Sequence, residues 1–529
     1  MKLYFYGADR CVTGSCHMLE AAGKKILVDC GLQQGRDEFD NADLPFHPGE
    51  IDYVIVTHAH IDHSGRIPLL IKRGFQGTIC ATRLTAELLE IMLLDSAHIQ
   101  ESDAEYQNRK GQRAGRALVE PLYTVADAEL VKKYVRTFEY GENVELAEGI
   151  RICFTDAGHL LGSGSVTVNV TEGNITRDIL FSGDIGNMNQ PIIRDPQPLC
   201  KADYVVMEST YGNRNHETPK SYTEDLARII DETISRGGNV VIPAFAVGRT
   251  QEILYFIREI KEKKLAPRAG SFPVYIDSPL AGKSTKVFSG DLRGYLDEEA
   301  LALVRDGESM FSFPGLNMTT TSEESKALNF DPTPKVIISA SGMCDAGRIR
   351  HHLKHNLWGA KNTVVFVGFQ SPGSLGRHLL DGAESVKLFG EEIAVQAQIV
   401  NFQGLSSHAD HDHLLWWLGH VEPKPKQVFV VHGDTDVAPA FAAELQDLGY
   451  AAHAPLYLES YDLIANEIVE QGIIRQKAER RTPDTAAYQR LVEVGQRVAA
   501  AIRGARGRDN KTLNNFARKL LEVLDWFEK

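Results

Sequence analysis

Between residues 57 and 65 the chain reads Thr57-His58-Ala59-His60-Ile61-Asp62-His63-Ser64-Gly65, placing three imidazoles and one carboxylate within six residues. Neutral imidazole and carboxylate together suit Zn²⁺, and the chemistry they serve is metal-assisted hydrolysis. Alternate residues of an extended segment face the same way, so His58 and His60 converge on one point. Asp62 and His63 follow the turn and face a second point a short distance on. Gly65 is read as the residue that lets the backbone leave this turn tightly. A polar turn that merely happens to hold histidines is a poor account of such density.

Further ligands come from other strand ends. His159 lies in Thr155-Asp156-Ala157-Gly158-His159-Leu160-Leu161-Gly162, just past an apolar run. Asp184 lies in Phe181-Ser182-Gly183-Asp184-Ile185-Gly186, and a carboxylate with two oxygens can bridge two cations. His432 repeats the strand-end pattern in Val430-Val431-His432-Gly433-Asp434. Taken singly, each would be a satisfied core or loop residue as often as a ligand. Taken with the 57–65 cluster, they complete two ligand sets.

The elements that must position these groups follow from apolar patterning. Short strands are expected at 3–6, 25–29, 53–57, 78–81, 152–155, 165–170, 179–182 and 204–208, with helices at 83–94 and 127–137. From 213 to 398 the rhythm changes to strand and helix in alternation: 239–243, a helix at 250–260, 274–277, 336–339, a helix at 346–355, then 363–368. That pattern implies parallel βαβ units and a second domain of α/β type. The first style returns with strands near 397–402 and 428–431, so the second domain reads as an insertion into the first. Expected boundaries are 1–212, an insertion at 213–398, a return at 399–460, and a helical, net basic extension at 461–529. Within that extension Leu513, Phe516, Leu520, Leu524 and Phe527 form one apolar stripe, for packing on its own domain or on a twin subunit.

Composition sets the outer limits. At 529 residues the chain is too long for one ordinary core, and 43% hydrophobic with 24% charged residues is the balance of a globular enzyme. No run of eighteen apolar residues occurs and residues 1–6 read as a strand, so neither a membrane span nor a signal peptide is expected. Seven scattered cysteines without a C-x-x-C pair suggest reduced thiols in a cytoplasmic protein. A net charge of −14 argues against nucleic acid as partner, but residues 471–529 carry +6 and bound cations would add more.

The motifs resemble those of the metallo-β-lactamase superfamily and, within it, the β-CASP ribonucleases, over about residues 1–455. Asp29 in Leu27-Val28-Asp29-Cys30-Gly31 resembles the first motif, a supporting carboxylate. His58, His60, Asp62 and His63 match the second, His159 the third and Asp184 the fourth. Glu208 in Glu208-Ser209-Thr210-Tyr211-Gly212 resembles the acidic first β-CASP motif, His408 in Ser406-Ser407-His408-Ala409-Asp410 the second, and His432 the third. The resemblance implies an α/β fold: a metallo-β-lactamase αββα sandwich with an inserted α/β β-CASP domain. It implies two Zn²⁺ per chain, one held by His58, His60, His159 and Asp184, the other by Asp62, His63, Asp184 and His432.

On that resemblance the expected reaction is hydrolysis of RNA phosphodiesters by in-line displacement, a water between the metals attacking phosphorus. His408 is expected to act as general acid, oriented and made more basic by Glu208, with Asp62 also at the catalytic centre. Endonuclease action is expected, with 5′→3′ exonuclease action as a further option. Two Gly-rich strand-to-helix loops are candidates for phosphate contact, through Arg249 in Gly248-Arg249-Thr250 and through Ser339, Ser341 and Gly342. His351, His352 and His355 look metal-like but have no carboxylate cluster nearby in sequence, so a surface or phosphate-facing role is preferred. The run 109–116 is read as a solvated loop, and His411 and His413 receive no role. The partner expected is single-stranded RNA, with a homodimer through the C-terminal region as an option. The rival readings are a small-ester, thioester or lactam hydrolase on the same fold, a DNA-processing nuclease, and a non-catalytic nucleic-acid scaffold.

Overall fold

The computed structural model describes residues 1–35, 40–112, 118–217, 221–371, 373–402, 405–475 and 509–527, with isolated positions at 494, 498, 502 and 505. It divides into residues 1–475 and residues 476–529.

Two sheets form the centre of the first unit. One has eight strands, in the order Glu467–Glu470, Ser460–Asp462, Lys2–Phe5, His17–Ala21, Lys24–Val28, Tyr53–Ile55, Thr78–Thr82 and Val135–Phe138. The other has seven, in the order Ala452–His453, Gln427–Val431, Tyr204–Glu208, Ile175–Phe181, Gly164–Glu172, Ile150–Asp156 and Val144–Ala147. Strict alternation along Ile150–Asp156 sends every second side chain inward, as a strand of period two requires. Phe5, Ile26, Val28, Phe154, Val168 and Phe429 meet in a buried core between the sheets. On the far face of the eight-stranded sheet the helix Arg83–Gln112 buries Leu84, Leu88 and Leu93 against Val54 and Ile79. On the far face of the other, Trp417 of His411–Gly419 and Phe441 of Val437–Asp447 cover Val205 and Val428. Helix, sheet, sheet and helix thus lie in four layers.

Residues between these strands build a third sheet of six parallel strands, in the order Leu316–Met318, Val274–Ile276, Val336–Ser339, Val240–Pro243, Thr363–Phe366 and Gln398–Asn401. Its inner strands read as unbroken apolar runs because helices cover both faces. Ile253 and Ile257 cover one side, Ile349 and Leu353 the other.

Several sequence expectations are corrected. Strand Gln398–Asn401 is an edge of the inserted sheet, so the chain returns to the sandwich only after residue 401. Residues from 460 onward are not all helical, because Ser460–Asp462 pairs with Lys2–Tyr4 and Glu467–Glu470 pairs in turn with it. The helix at 127–137 ends at Leu130, after a Thr124–Asp127 capping box, and strand Val135–Phe138 follows. Helix Arg83–Gln112 takes in the start of the basic run 109–116, whose last four residues lie outside the described set.

In the second unit the described element is the helix Asn510–Phe527. It carries Leu513, Phe516 and Leu520, whereas the side chains of Leu524 and Phe527 lie outside the described set. No helix among the described residues is long and apolar enough to cross a membrane.

Candidate active site

Six strand ends deliver the site. Tyr53–Ile55 leads into the His58 turn, and Lys24–Val28 into Asp29. Ile150–Asp156 leads to His159, Ile175–Phe181 to Asp184, Tyr204–Glu208 ends on Glu208 itself, and Gln427–Val431 leads to His432. His408 joins from outside the sheets, through an isolated antiparallel bridge to Gly186. Asp29 and His432 leave the backbone at φ of 62° and 50°, a left-handed conformation that non-glycine residues hold chiefly where the surroundings force it. Two glycines allow the close approaches: a Cβ at Gly31 would sit 1.6 Å from Asp62 O, and one at Gly186 would sit 1.8 Å from Gly158 O. Gly65, by contrast, has an ordinary helical φ of −66°, and what it needs is space, since a Cβ would lie 2.5 Å from Ile61 O.

The predicted ligands come together in two groups around Asp184. His58, His60, His159 and Asp184 form one and Asp62, His63 and His432 the other, with candidate ligand atoms in each within 4.8 Å of one another. Oδ2 of Asp184 faces Nε2 of His58 and of His159, each at 3.5 Å. Its other oxygen faces His63 Nε2 at 3.2 Å and His432 Nδ1 at 3.7 Å. One carboxylate therefore serves both groups, one oxygen each.

The donor chemistry fits a cation. His159 Nδ1 lies 3.0 Å from the Ser407 carbonyl, which can only accept, so the proton is on Nδ1 and Nε2 turns a lone pair inward. His63 Nδ1 lies 2.7 Å from Asp29, and that hydrogen bond leaves Nε2 facing the cluster. Inside, His60 Nδ1 is met by His58 Nε2 at 3.1 Å and by His159 Nε2 at 3.2 Å, and His63 Nε2 meets His432 Nε2 at 3.1 Å. Protons cannot satisfy all these nitrogens at once, whereas metal ions can. Buried Asp184 Oδ1 has no hydrogen-bond partner, although histidine nitrogens surround it. The outer nitrogens are held as metal-binding histidines usually are, by a carboxylate, a carbonyl or a hydroxyl. Asp29 also accepts from Thr57 N at 2.8 Å and Thr57 Oγ1 at 2.9 Å, tying the His58 turn to the next strand.

Electrostatics follow the same division. Burial, aided by neighbouring imidazoles, drives His58 and His159 well below the ordinary histidine range, so both are neutral. Burial alone would neutralise His63 too, but Asp184 and Asp29 outweigh it and hold that imidazole well above its usual range. A cation would displace this proton. Burial would also protonate Asp184, yet His432, His63 and His58 keep it ionised, well below the usual carboxylate range.

His408 belongs to a third group, with Asp184 and Glu208, whose candidate ligand atoms also lie within 4.8 Å of one another. Its Nδ1 contacts both oxygens of Glu208, at 3.2 and 3.1 Å, while Nε2 lies 3.9 Å from Asp184 Oδ2. Glu208 is fully buried and accepts from Ile185 N at 2.6 Å. Burial lowers the His408 pKa, but the charges of Glu208 and Asp184 overcome this and push it up to about 9.

The phosphate candidates fare differently. Arg249 is buried in an ion pair with Glu252, one turn along the same helix, so its guanidinium is spent inside the fold. Ser339 is buried and donates its hydroxyl to Asp277 O at 2.9 Å. Ser341 is half-buried, and Gly342 packs under the ring of Phe245. His352 is neither a surface nor a phosphate-facing residue: fully buried, it bonds Asp277 Oδ2 at 2.5 Å and Asn329 Oδ1 at 2.8 Å. His411 pairs with Glu444 at 2.9 Å and His413 with Asp410 at 2.9 Å. Sequence reasoning missed Thr57, Thr210 and the Ser407 carbonyl. Each adjoins a motif residue in sequence or space, the one signal that could have found them.

Comparisons with known proteins agree with this geometry. The model of the metallo-beta-lactamase superfamily matches residues 9–243, that of the Beta-Casp domain 250–379, and that of the Zn-dependent metallo-hydrolase RNA specificity domain 392–455. Ribonuclease TTHA0252 of Thermus thermophilus is 39% identical over 82% of this chain and 94% of its own length. Transcription termination factor FttA of Methanosarcina mazei is 30% identical over 81% of this chain, and that of Methanocaldococcus jannaschii 28% over 85%. The chain spans only 66% and 69% of those two archaeal proteins. With such similarity along nearly the whole of one relative, and a site built on the same motifs, the chain belongs to the β-CASP ribonuclease family of the metallo-β-lactamase superfamily.

Proposed function

We propose that this chain hydrolyses single-stranded RNA with two zinc ions per molecule. The observation that carries the reading is Asp184, whose two oxygens face two separate histidine groups while His408 stands beside one of them. His58, His60, His159 and Asp184 would hold one ion, and Asp62, His63, Asp184 and His432 the other. When bound, such a pair activates water and neutralises the non-bridging phosphate oxygens.

The chain's own residues supply the rest. Glu208 anchors Nδ1 of His408, which leaves Nε2 as the nitrogen that carries the proton toward the cluster. As the bond from phosphorus to the 3′-oxygen breaks, His408 passes that proton to the leaving oxygen. The products are a 3′-hydroxyl and a 5′-phosphate. Asp29 and Thr57 hold the ligand turn in place and take no part in proton transfer. RNA rather than DNA is supported by the RNA specificity domain matched at 392–455 and by a relative named as a ribonuclease. We further propose a sandwich domain at 1–212 and 402–475 around an insertion at 213–401, with the C-terminal region serving dimerisation or RNA guidance.

The test is direct. Chelator-stripped and zinc-loaded protein are incubated with 5′-labelled single-stranded RNA, the matching DNA strand and a chromogenic lactam. Zinc-dependent cleavage of the RNA into 3′-hydroxyl ends supports the reading. Turnover of the lactam alone overturns it.

A further inference from the structure

Near the cluster, two exposed phenylalanine rings and an exposed arginine take no part in the reaction above. The ring of Tyr211 lies 6.2 Å from that of His408, centroid to centroid. Exposed Arg214 places its guanidinium 4.8 Å from the Tyr211 centroid and 5.7 Å from that of Phe369. Phe369 is 46% exposed, and Phe245, in the loop before Arg249, is 44% exposed.

Neither phenylalanine rides on a loose loop. Thr250 donates to Phe245 O through its N at 3.2 Å and its Oγ1 at 2.7 Å, and Ala244 N donates to Ser339 O at 3.1 Å. Gln370, next to Phe369, is buried and donates to Gly342 O at 3.0 Å. Gly342 is itself the seat of the other ring, since a Cβ there would lie 3.1 Å from two Phe245 ring carbons. Both loops therefore meet at Gly342. Single exposed apolar residues are ordinary and need no explanation. One ring seated on Gly342, and a second whose neighbour Gln370 bonds that same glycine and which shares Arg214 with the aromatic neighbour of His408, are a different matter.

The geometry points to Phe245, Phe369 and Arg214 as a platform on which unpaired nucleobases of the substrate stack beside the bond being cleaved. Every base offers a π-face, so aromatic rings and a guanidinium plane hold single strands with little regard to sequence. Bases within a duplex are already stacked and would have to be pulled out, so the platform selects unpaired RNA. The Pro243–Arg249 loop thus contributes a ring to the substrate where its arginine contributes to the fold. This inference rests on the ribonuclease reading and names how that substrate is held.

The test is a cycle between side chain and base. Full-length protein carrying His408→Ala, to keep the strand intact, is titrated with a fluorescent single-stranded RNA and with the same strand made abasic around the cleavage site. Binding is read by anisotropy. Phe245→Leu and Phe369→Leu keep apolar bulk but lose the ring, and each should weaken binding of the intact RNA on the order of tenfold. Phe245→Trp should restore it. The abasic strand should bind the parent protein as weakly as the leucine variants bind RNA, with no further loss when both changes are combined. Unchanged affinity in the leucine variants, or an equal loss on the abasic strand, overturns the platform. Base-dependent binding by a zinc-loaded native chain that never cleaves RNA would instead uphold the platform and reject the ribonuclease reading.

Discussion

Glu208 faces Nδ1 of His408 with both of its carboxylate oxygens, at 3.2 and 3.1 Å. The arrangement leaves the ring one orientation and one nitrogen with which to act. His408→Ala should therefore keep its full zinc content and lose turnover by about 10²- to 10⁴-fold, the usual worth of a positioned acid. Metal analysis beside initial rates checks this. A variant that loses zinc would make His408 a ligand instead.

The same pair predicts a pH effect with a definite sign. A general acid works only while protonated, so activity falls as pH rises through its pKa. Burial pulls that value down, while Glu208 and Asp184 together push it up to about 9. Cations bound at Asp184 would offset the second carboxylate and leave Glu208 as the main support. Glu208→Gln removes a negative charge that favours the imidazolium, so the alkaline limb of the kcat profile should move to lower pH by about one unit or more. A limb that stays put, or moves up, contradicts the assignment.

Asp29 touches no metal-facing atom, yet it accepts from His63 Nδ1 at 2.7 Å and from Thr57 N at 2.8 Å. Such outer partners typically contribute about 10- to 100-fold in metal affinity. Asp29→Ala should weaken zinc binding by that order in a chelator competition. Thr57→Val removes the hydroxyl but spares His63, and should cost less.

Asp184→Asn tests the shared carboxylate. An amide keeps the shape but has one oxygen and no charge, so it cannot serve both histidine groups. Zinc content should fall below that of the native chain, and RNA cleavage should vanish with it. Loss of both ions, rather than of one, distinguishes a bridging residue from a residue that belongs to one group.

Much of the site was legible because its parts share one local signature, a polar residue just past an apolar β-branched run. The His58 turn, His159, Asp184 and His432 all carry it, and the structure brings all of them together. Other contacts depend on partners distant or hidden. Arg249 resembles a phosphate ligand in sequence, but Glu252 stands three residues along the same helix and captures it. His352 has no carboxylate cluster nearby in sequence, and its partner Asp277 lies 75 residues away. The strand Ser460–Asp462 pairs with the first residues of the chain, a contact that no local pattern announces. Phe245 and Phe369 drew no notice because an exposed ring and a buried one look alike in sequence.

Two cations, shared through Asp184, are proposed to drive the cleavage of RNA. Zinc titration of chelator-stripped, full-length protein, with ribonuclease activity followed at each addition, addresses this most directly. Activity should be absent at the start, rise with zinc, and level off at two equivalents per chain. Full activity in the stripped protein, or none at any zinc loading, would rule out a two-zinc ribonuclease.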